Sequence, residues 1–165
     1  MAMFVHLTQE SNVAKIRRNG IGRMRRSHGD MPRGVFATPV VRNFFVTHQW
    51  LRELKRGRNE MLWGVYFRIH DGEKVYVGHY NQAHQWLTAA EAVAVIDAAE
   101  DARGWEVIIP RTIAAKEIHR THSLPQNVGW RYFPQSHGTK PCACRYCSRG
   151  EYGSASLRRR LGEDD

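Results

Sequence analysis

Along the chain the spacing of apolar residues changes period several times, and each change marks an element. Met3–Thr8 is a short β-prone run containing one histidine. Thr8 or Ser11 can then cap a helix in which Val13 and Ile16 recur at helical spacing until Asn19-Gly20 closes it. Ile21–Arg33 is rich in Gly and Arg and contains Pro32, which predicts a loop. Gly34–Thr38 predicts a second strand, ended by Pro39. Over Arg42–Arg56, Phe44, Phe45, His48 and Leu51 recur at i, i+1, i+4 and i+7, the signature of one helix stopped by Gly57. Strands are expected at Met61–Ile69 and Lys74–His79, and the intervening Asp71-Gly72 predicts a hairpin because that dipeptide tolerates the φ values of a tight turn.

Further on, Thr88 and Glu91 form a Thr-x-x-Glu capping box that predicts a helix over Ala89–Arg103. Trp105–Pro110 reads as a buried strand carrying a single acid, Glu106, and Lys116–Arg120 as a short helix or an edge. From Ser136 the composition shifts to Gly, Cys, Arg and Ser without apolar periodicity. The expected organisation is an α+β body over residues 1–135 with about six strands, followed by a small Cys- and Arg-rich tail over 136–165.

Composition narrows the class. With 165 residues, 42% hydrophobic positions and five Trp, six Tyr and six Phe, the chain can bury one core and is not a disordered segment. No apolar run approaches the ~18–20 residues that cross a bilayer. The longest, around Ala89–Ala99, is broken by Glu91 and Asp97. Met1–Val5 is too short for the apolar region of a signal peptide, so a cytoplasmic location with no membrane partner is expected.

The net charge of +9 is unevenly placed. Residues 1–75 carry 14 Lys/Arg against 6 Asp/Glu, whereas 76–136 carry 5 against 6 and 137–165 carry 6 against 4. Such clustering suits phosphates, whether of a nucleic acid or of a dinucleotide. In the tail, His137, Cys142, Cys144 and Cys147 offer an imidazole and three thiolates within reach of one Zn2+, with His119 or His122 as alternative fourth ligands. Three cysteines are poor disulfide arithmetic and better metal-ligand arithmetic. The basic residues around them fit a small zinc-bearing nucleic-acid module.

Three segments, in order, carry a family resemblance. Phe4-Val5-His6-Leu7-Thr8, with Ile16 and Gly20-Ile21 after it, resembles the His-x-Thr strand and following helix of the ADP-ribosyltransferase superfamily. Gly34-Val35-Phe36-Ala37-Thr38 resembles its Gly-(Ile/Val)-Tyr-Phe-Ala strand, with Phe36 where polymerase-like members have the Tyr of their His-Tyr-Glu triad. Glu106-Val107-Ile108-Ile109-Pro110 is similar to the glutamate strand of DarT-like DNA ADP-ribosyltransferases. The resemblance spans roughly residues 4–120 and implies a split antiparallel β-sheet with flanking helices, NAD as substrate, and a nucleic acid or nucleotide-bearing acceptor.

It also implies roles. Breaking the nicotinamide–ribose bond develops oxocarbenium-like charge, so a fixed carboxylate, Glu106, would stabilise it and help deprotonate the acceptor. His6, with Thr8 beside it, would hold the adenosine-side ribose, a role in positioning rather than proton transfer. Phe36 and Thr38, with an aromatic from Phe44, Phe45 or Tyr66, would line the nicotinamide side. Glu91 is a rival carboxylate that its capping box already explains.

Two other functions fit parts of the chain. An RNA 2′-phosphotransferase shares the His-x-Thr strand, but Met1–Phe4 holds no Arg-His pair of the kind that family carries there. A non-enzymatic module would grip nucleic acid through the zinc knuckle and the basic N-terminal half, with salt-sensitive binding and no dependence on NAD.

Overall fold

A computed structural model describes residues 1–22, 33–55 and 60–130. The tail boundary and its candidate ligands His137, Cys142, Cys144 and Cys147 lie outside the described residues. The described chain is mixed α+β. Its strands are β1 (Ala2–Gln9), β2 (Val35–Pro39), β3 (Leu62–Ile69), β4 (Lys74–His79), β5 (Gln85–Thr88), β6 (Trp105–Ile109) and β7 (Ile118–Ser123). Its α-helices are α1 (Glu10–Asn19), α2 (Phe44–Thr47), α3 (Leu51–Leu54) and α4 (Ala89–Asp97), and Ala115–Glu117 form a 3-10 turn. None is long and apolar enough to cross a membrane among the described residues.

All strand pairs are antiparallel, in the order β5-β4-β6-β2-β1-β3-β7. β1 and β3 pair along their whole length, from Ala2↔Ile69 to Gln9↔Leu62. β1 and β2 pair only at Phe4↔Pro39 and Val5↔Thr38. The sheet is therefore two ladders joined at a narrow seam.

That seam explains a departure from the sequence reading. His70–Glu73 does turn, with Glu73 N–H bonding back to His70 O at 3.0 Å, yet it does not make a hairpin. Three strands stand between β3 and β4 in the sheet order. Four strand spacings of ~4.8 Å would separate them in a flat sheet, about 19 Å, while a turn of this kind brings its first and fourth Cα atoms within about 7 Å. The sheet must fold over on itself. Consistent with this, Phe67 and Ile69 of β3 share one apolar cluster with Val75 and Val77 of β4, Val107 and Ile109 of β6, and Ala92 and Ile96 of α4. Burying that face supplies most of the driving force for folding.

Helices α1 and α4 complete this core. In α1, Val13 and Ile16 are buried, and Gly20 ends the helix at φ +80°, where its N–H bonds Ile16 O at 2.7 Å. A Cβ on Gly20 would run into the Ile113 carbonyl, so glycine is required there both by φ and by space. In α4 the expected capping box is present: Thr88 Oγ1 accepts from Glu91 N–H, and Glu91 Oε2 accepts from Thr88 N–H at 2.7 Å. The helix ends at Asp97 instead of running to Arg103, and the chain past it turns inward to bury Ala102.

The single helix expected over Arg42–Arg56 is two single turns. Asn43 caps the first by accepting from Phe45 and Val46 N–H. The break between them follows from where backbone groups are used: Thr47 O accepts the Thr38 hydroxyl at 2.7 Å, and Gln49 O accepts Trp130 N–H at 2.9 Å. These carbonyls serve tertiary contacts in place of a continuous helix. Leu51 of α3 caps the opposite sheet face, in a second small cluster with Leu62, Leu124 and the partly buried Leu7.

Candidate active site

The registers align one transverse row across the sheet. Gly78 of β4 faces Glu106 of β6, and the β2–β6 register, ending at Ala37↔Val107, continues to Thr38 beside Glu106. Thr38 in turn faces Val5, Val5 faces Tyr66, and Tyr66 faces Arg120 of β7. Directly opposed residues leave the sheet on the same side. Glu106, Thr38, Tyr66 and Arg120 thus share one face, which Phe36 joins two positions before Thr38. Phe4, with the main core, lies on the other.

Glu106 is 8% exposed on this face. Burial raises its carboxyl from 4.5 to about 7, because nothing charged compensates for lost water. Its neighbour is His84 of the β4–β5 connection, whose Nε2 lies 3.2 Å from Glu106 Oε1. His84 Nδ1 lies 3.2 Å from Gln82 O, and since a carbonyl only accepts, Nδ1 carries hydrogen. Burial also lowers the His84 pKa, partly offset by the Gln82 bond. Both shifts run towards the uncharged form of each group, and in the protonated form Glu106 can donate to His84 Nε2.

A second group stands across the seam. His48, 3% exposed, donates Nδ1–H to Phe44 O at 2.8 Å, which leaves Nε2 to accept the Tyr66 hydroxyl at 2.7 Å. Burial lowers the His48 pKa, with the Phe44 bond opposing it and His122 and Arg120 adding to it. The Phe44 and His48 rings lie 4.2 Å apart, and the Arg120 guanidinium sits 4.5 Å from the centre of the Tyr66 ring. Burial raises the Tyr66 pKa and Arg120 works against it.

The expected site residues separate into those brought together and those not. His6 Nδ1 donates to Phe36 O at 2.8 Å, so the first two motif segments meet at the seam, and burial keeps His6 below its ordinary pKa. No hydrogen bond joins His6 to Glu106, and by strand alternation His6 and Thr8 leave β1 on the Phe4 side. Thr8 is buried beneath α1, where Asn12 Nδ2 donates to its hydroxyl at 3.4 Å. Thr38 lies beside Glu106, but its hydroxyl is occupied by Thr47 O. Phe44 and Tyr66 flank His48, and Phe45 is 54% exposed, edge-on to Phe44 at 6.5 Å.

The sequence marks His48 only as a helical-face residue and Arg120 only as the end of a short helix or edge, and no local pattern singles out His84. One signal was present for His84: Gly78 stands opposite Glu106, and a Cβ there would lie 3.1 Å from His84 Cα and Cγ. A side-chain-free position beside a strand acid marks a close approach. Cavities of about 620 Å³, between Val41 and Trp130, and about 460 Å³, between Arg17 and Thr121, are lined by neither Glu106, Phe36 nor His6.

No protein-family model, no curated protein and no solved structure matches the chain.

Proposed function

We propose that the chain is an NAD-dependent ADP-ribosyltransferase whose acceptor is a nucleic acid or a nucleotide-bearing molecule. One observation carries the reading: the three motif-bearing strands β1, β2 and β6 are consecutive in the sheet, which opens between the first two. At that opening His6 is bonded to the Phe36 backbone, and the buried Glu106 lies on the Phe36 face. In this reading the sheet has the split form of the superfamily. The dinucleotide lies along the Phe36 and Glu106 face of the seam, with Phe36 packing against nicotinamide and His6, behind it, shaping the opening through its bond to the Phe36 carbonyl.

The chemistry follows from what these groups can do. As the nicotinamide–ribose bond lengthens, its electron pair stays on the ring nitrogen and positive charge grows on the ribose. A carboxylate fixed in a buried site stabilises that charge more than one in water. Phe44, 44% exposed and packed on the His48 ring that accepts the Tyr66 hydroxyl, supplies a second aromatic face. The excess of positive charge in residues 1–75 attracts the pyrophosphate and the acceptor.

Binding of NAD is the first test. A ligand that binds only the folded state raises its stability with concentration. Melting of the full chain should rise progressively with NAD and less so for His6→Ala. A melting curve that NAD leaves unmoved contradicts the reading.

A further inference from the structure

Glu106 and His84 form a contact that the proposed chemistry has not used. Both side chains are nearly sealed from solvent, at 10% and 5% exposure, and Oε1 and Nε2 are 3.2 Å apart. His84 is fixed from its far side by the Gln82 carbonyl and fits over β4 because Gly78 lacks a side chain. With Nδ1 committed to Gln82, only one proton occupies the line between Oε1 and Nε2.

We propose that His84 is the positioning residue of Glu106, a resident acceptor that takes the carboxyl proton when positive charge develops beside β6. This deepens the ADP-ribosyltransferase reading and rests on it.

The steps balance. At rest the pair is an uncharged carboxylic acid and imidazole. As the bond to nicotinamide breaks, the proton passes from Oε1 to Nε2, leaving a carboxylate facing the ribose and an imidazolium behind it, with no net change in charge. The acceptor X–H then forms its bond to the ribose carbon and loses its proton to Glu106. The pair now holds one proton more than at rest, and His84 returns it to solvent. Overall, NAD and X–H give ADP-ribosyl-X, nicotinamide and one proton.

Burial raises the Glu106 carboxyl and lowers the His84 ring, and the Gln82 carbonyl is the other influence on His84. Gly78, Thr38 and Val107, flanking Glu106 on β4, β2 and β6, carry no charge, while His84 Nε2 stands 3.2 Å from Glu106 Oε1, close enough for the charge of one to act on the titration of the other.

The test uses the full chain with 15N-labelled histidine, the His84 signal being assigned by its loss in His84→Gln. The expected result is a His84 neutral at pH 7 with hydrogen on Nδ1, titrating in two coupled steps that Glu106→Gln reduces to one. Turnover of NAD by His84→Gln should fall on the order of 10²-fold in kcat, with a flattened pH profile and little change in KM. Gly78→Ala, whose Cβ would lie 3.1 Å from His84 Cα and Cγ and push the ring by a few tenths of an ångström, should move kcat in the same direction by a smaller factor. A His84 that titrates identically in wild type and Glu106→Gln overturns the proposal, as does His84→Gln turnover with unchanged kcat and pH profile. A coupled titration in a protein that consumes no NAD overturns the ADP-ribosyltransferase reading instead.

Discussion

His6 Nδ1 and the carbonyl oxygen of Phe36 are 2.8 Å apart at the point where β1 leaves β2. A side chain here supplies the donor that the neighbouring backbone would supply in a continuous ladder. The bond satisfies the Phe36 carbonyl while letting the strands diverge, so the opening in the sheet is built in by one residue.

Removing that donor should be felt in stability as well as in NAD binding. His6→Ala is expected to cost about 1–2 kcal/mol at neutral pH, in the range for a lost hydrogen bond with a partner left unpaired, measured by urea unfolding. His6, His48 and His84 all have folded pKa values below 6.5. Such groups contribute stability above their unfolded pKa and lose it as the pH falls from 6.5 towards the folded value. The contribution of these three histidines should therefore drop on acidification below 6.5, and the cost of His6→Ala should shrink over the same interval.

Glu106 acts with the opposite sign. Its folded pKa, about 7, lies above the ordinary 4.5, so its contribution is complete below 4.5 and is lost as pH rises through 7. Glu106→Gln keeps a donor for His84 and cannot ionise. Its stability relative to wild type should rise from pH 4.5 to 7 and level off above, by roughly 3 kcal/mol. A flat difference across that window would show Glu106 to be solvated.

Gln49 ties the chain after α4 to the α2–α3 segment. It is fully buried, donating to Ala102 O at 3.0 Å and accepting from Gly104 N–H at 2.7 Å. Gln49→Leu removes both bonds and should cost about 2–4 kcal/mol, seen as a lower denaturation midpoint with unchanged slope.

Glu91 separates structure from chemistry. Thr88→Ala should lower helix stability by about 1 kcal/mol, and Glu91→Gln by less. Both variants should turn over NAD at the wild-type rate, because Glu91 is exposed and its partners are those of the cap. Loss of turnover in Glu91→Gln at normal stability would make it the working carboxylate.

Local signals in the sequence were read well where the structure is local. The β1–α1–Gly20 unit, the Thr88 cap and the Glu106 strand each depend on residues within a few positions of one another. Asp71-Gly72 announced a turn and the turn is there, but the choice between hairpin and crossover belongs to the fold of the whole sheet. The Phe44–Leu51 spacing is helical, and tertiary bonds from Thr38 and Trp130 to the Thr47 and Gln49 carbonyls override it. β5 was missed because Gln85-Trp86-Leu87-Thr88 is half exposed and has little apolar alternation. Among the site residues, the strands that carry His6 and Phe36 were legible. The partnership of Glu106 with His84, 22 positions apart, was not, since no spacing rule links a strand acid to a hairpin-loop histidine.

Transfer of ADP-ribose is what separates the proposed enzyme from a protein that only binds NAD. The decisive measurement is incubation of the full chain with NAD labelled in the adenylate portion, together with DNA, RNA or total protein, followed by isolation of each acceptor. Wild type should place label on a nucleic acid or nucleotide-bearing acceptor and release nicotinamide in equal amount, and Glu106→Gln, folded and at least as stable at neutral pH, should not. No label on any acceptor and no nicotinamide released, with wild type and Glu106→Gln indistinguishable, would contradict it.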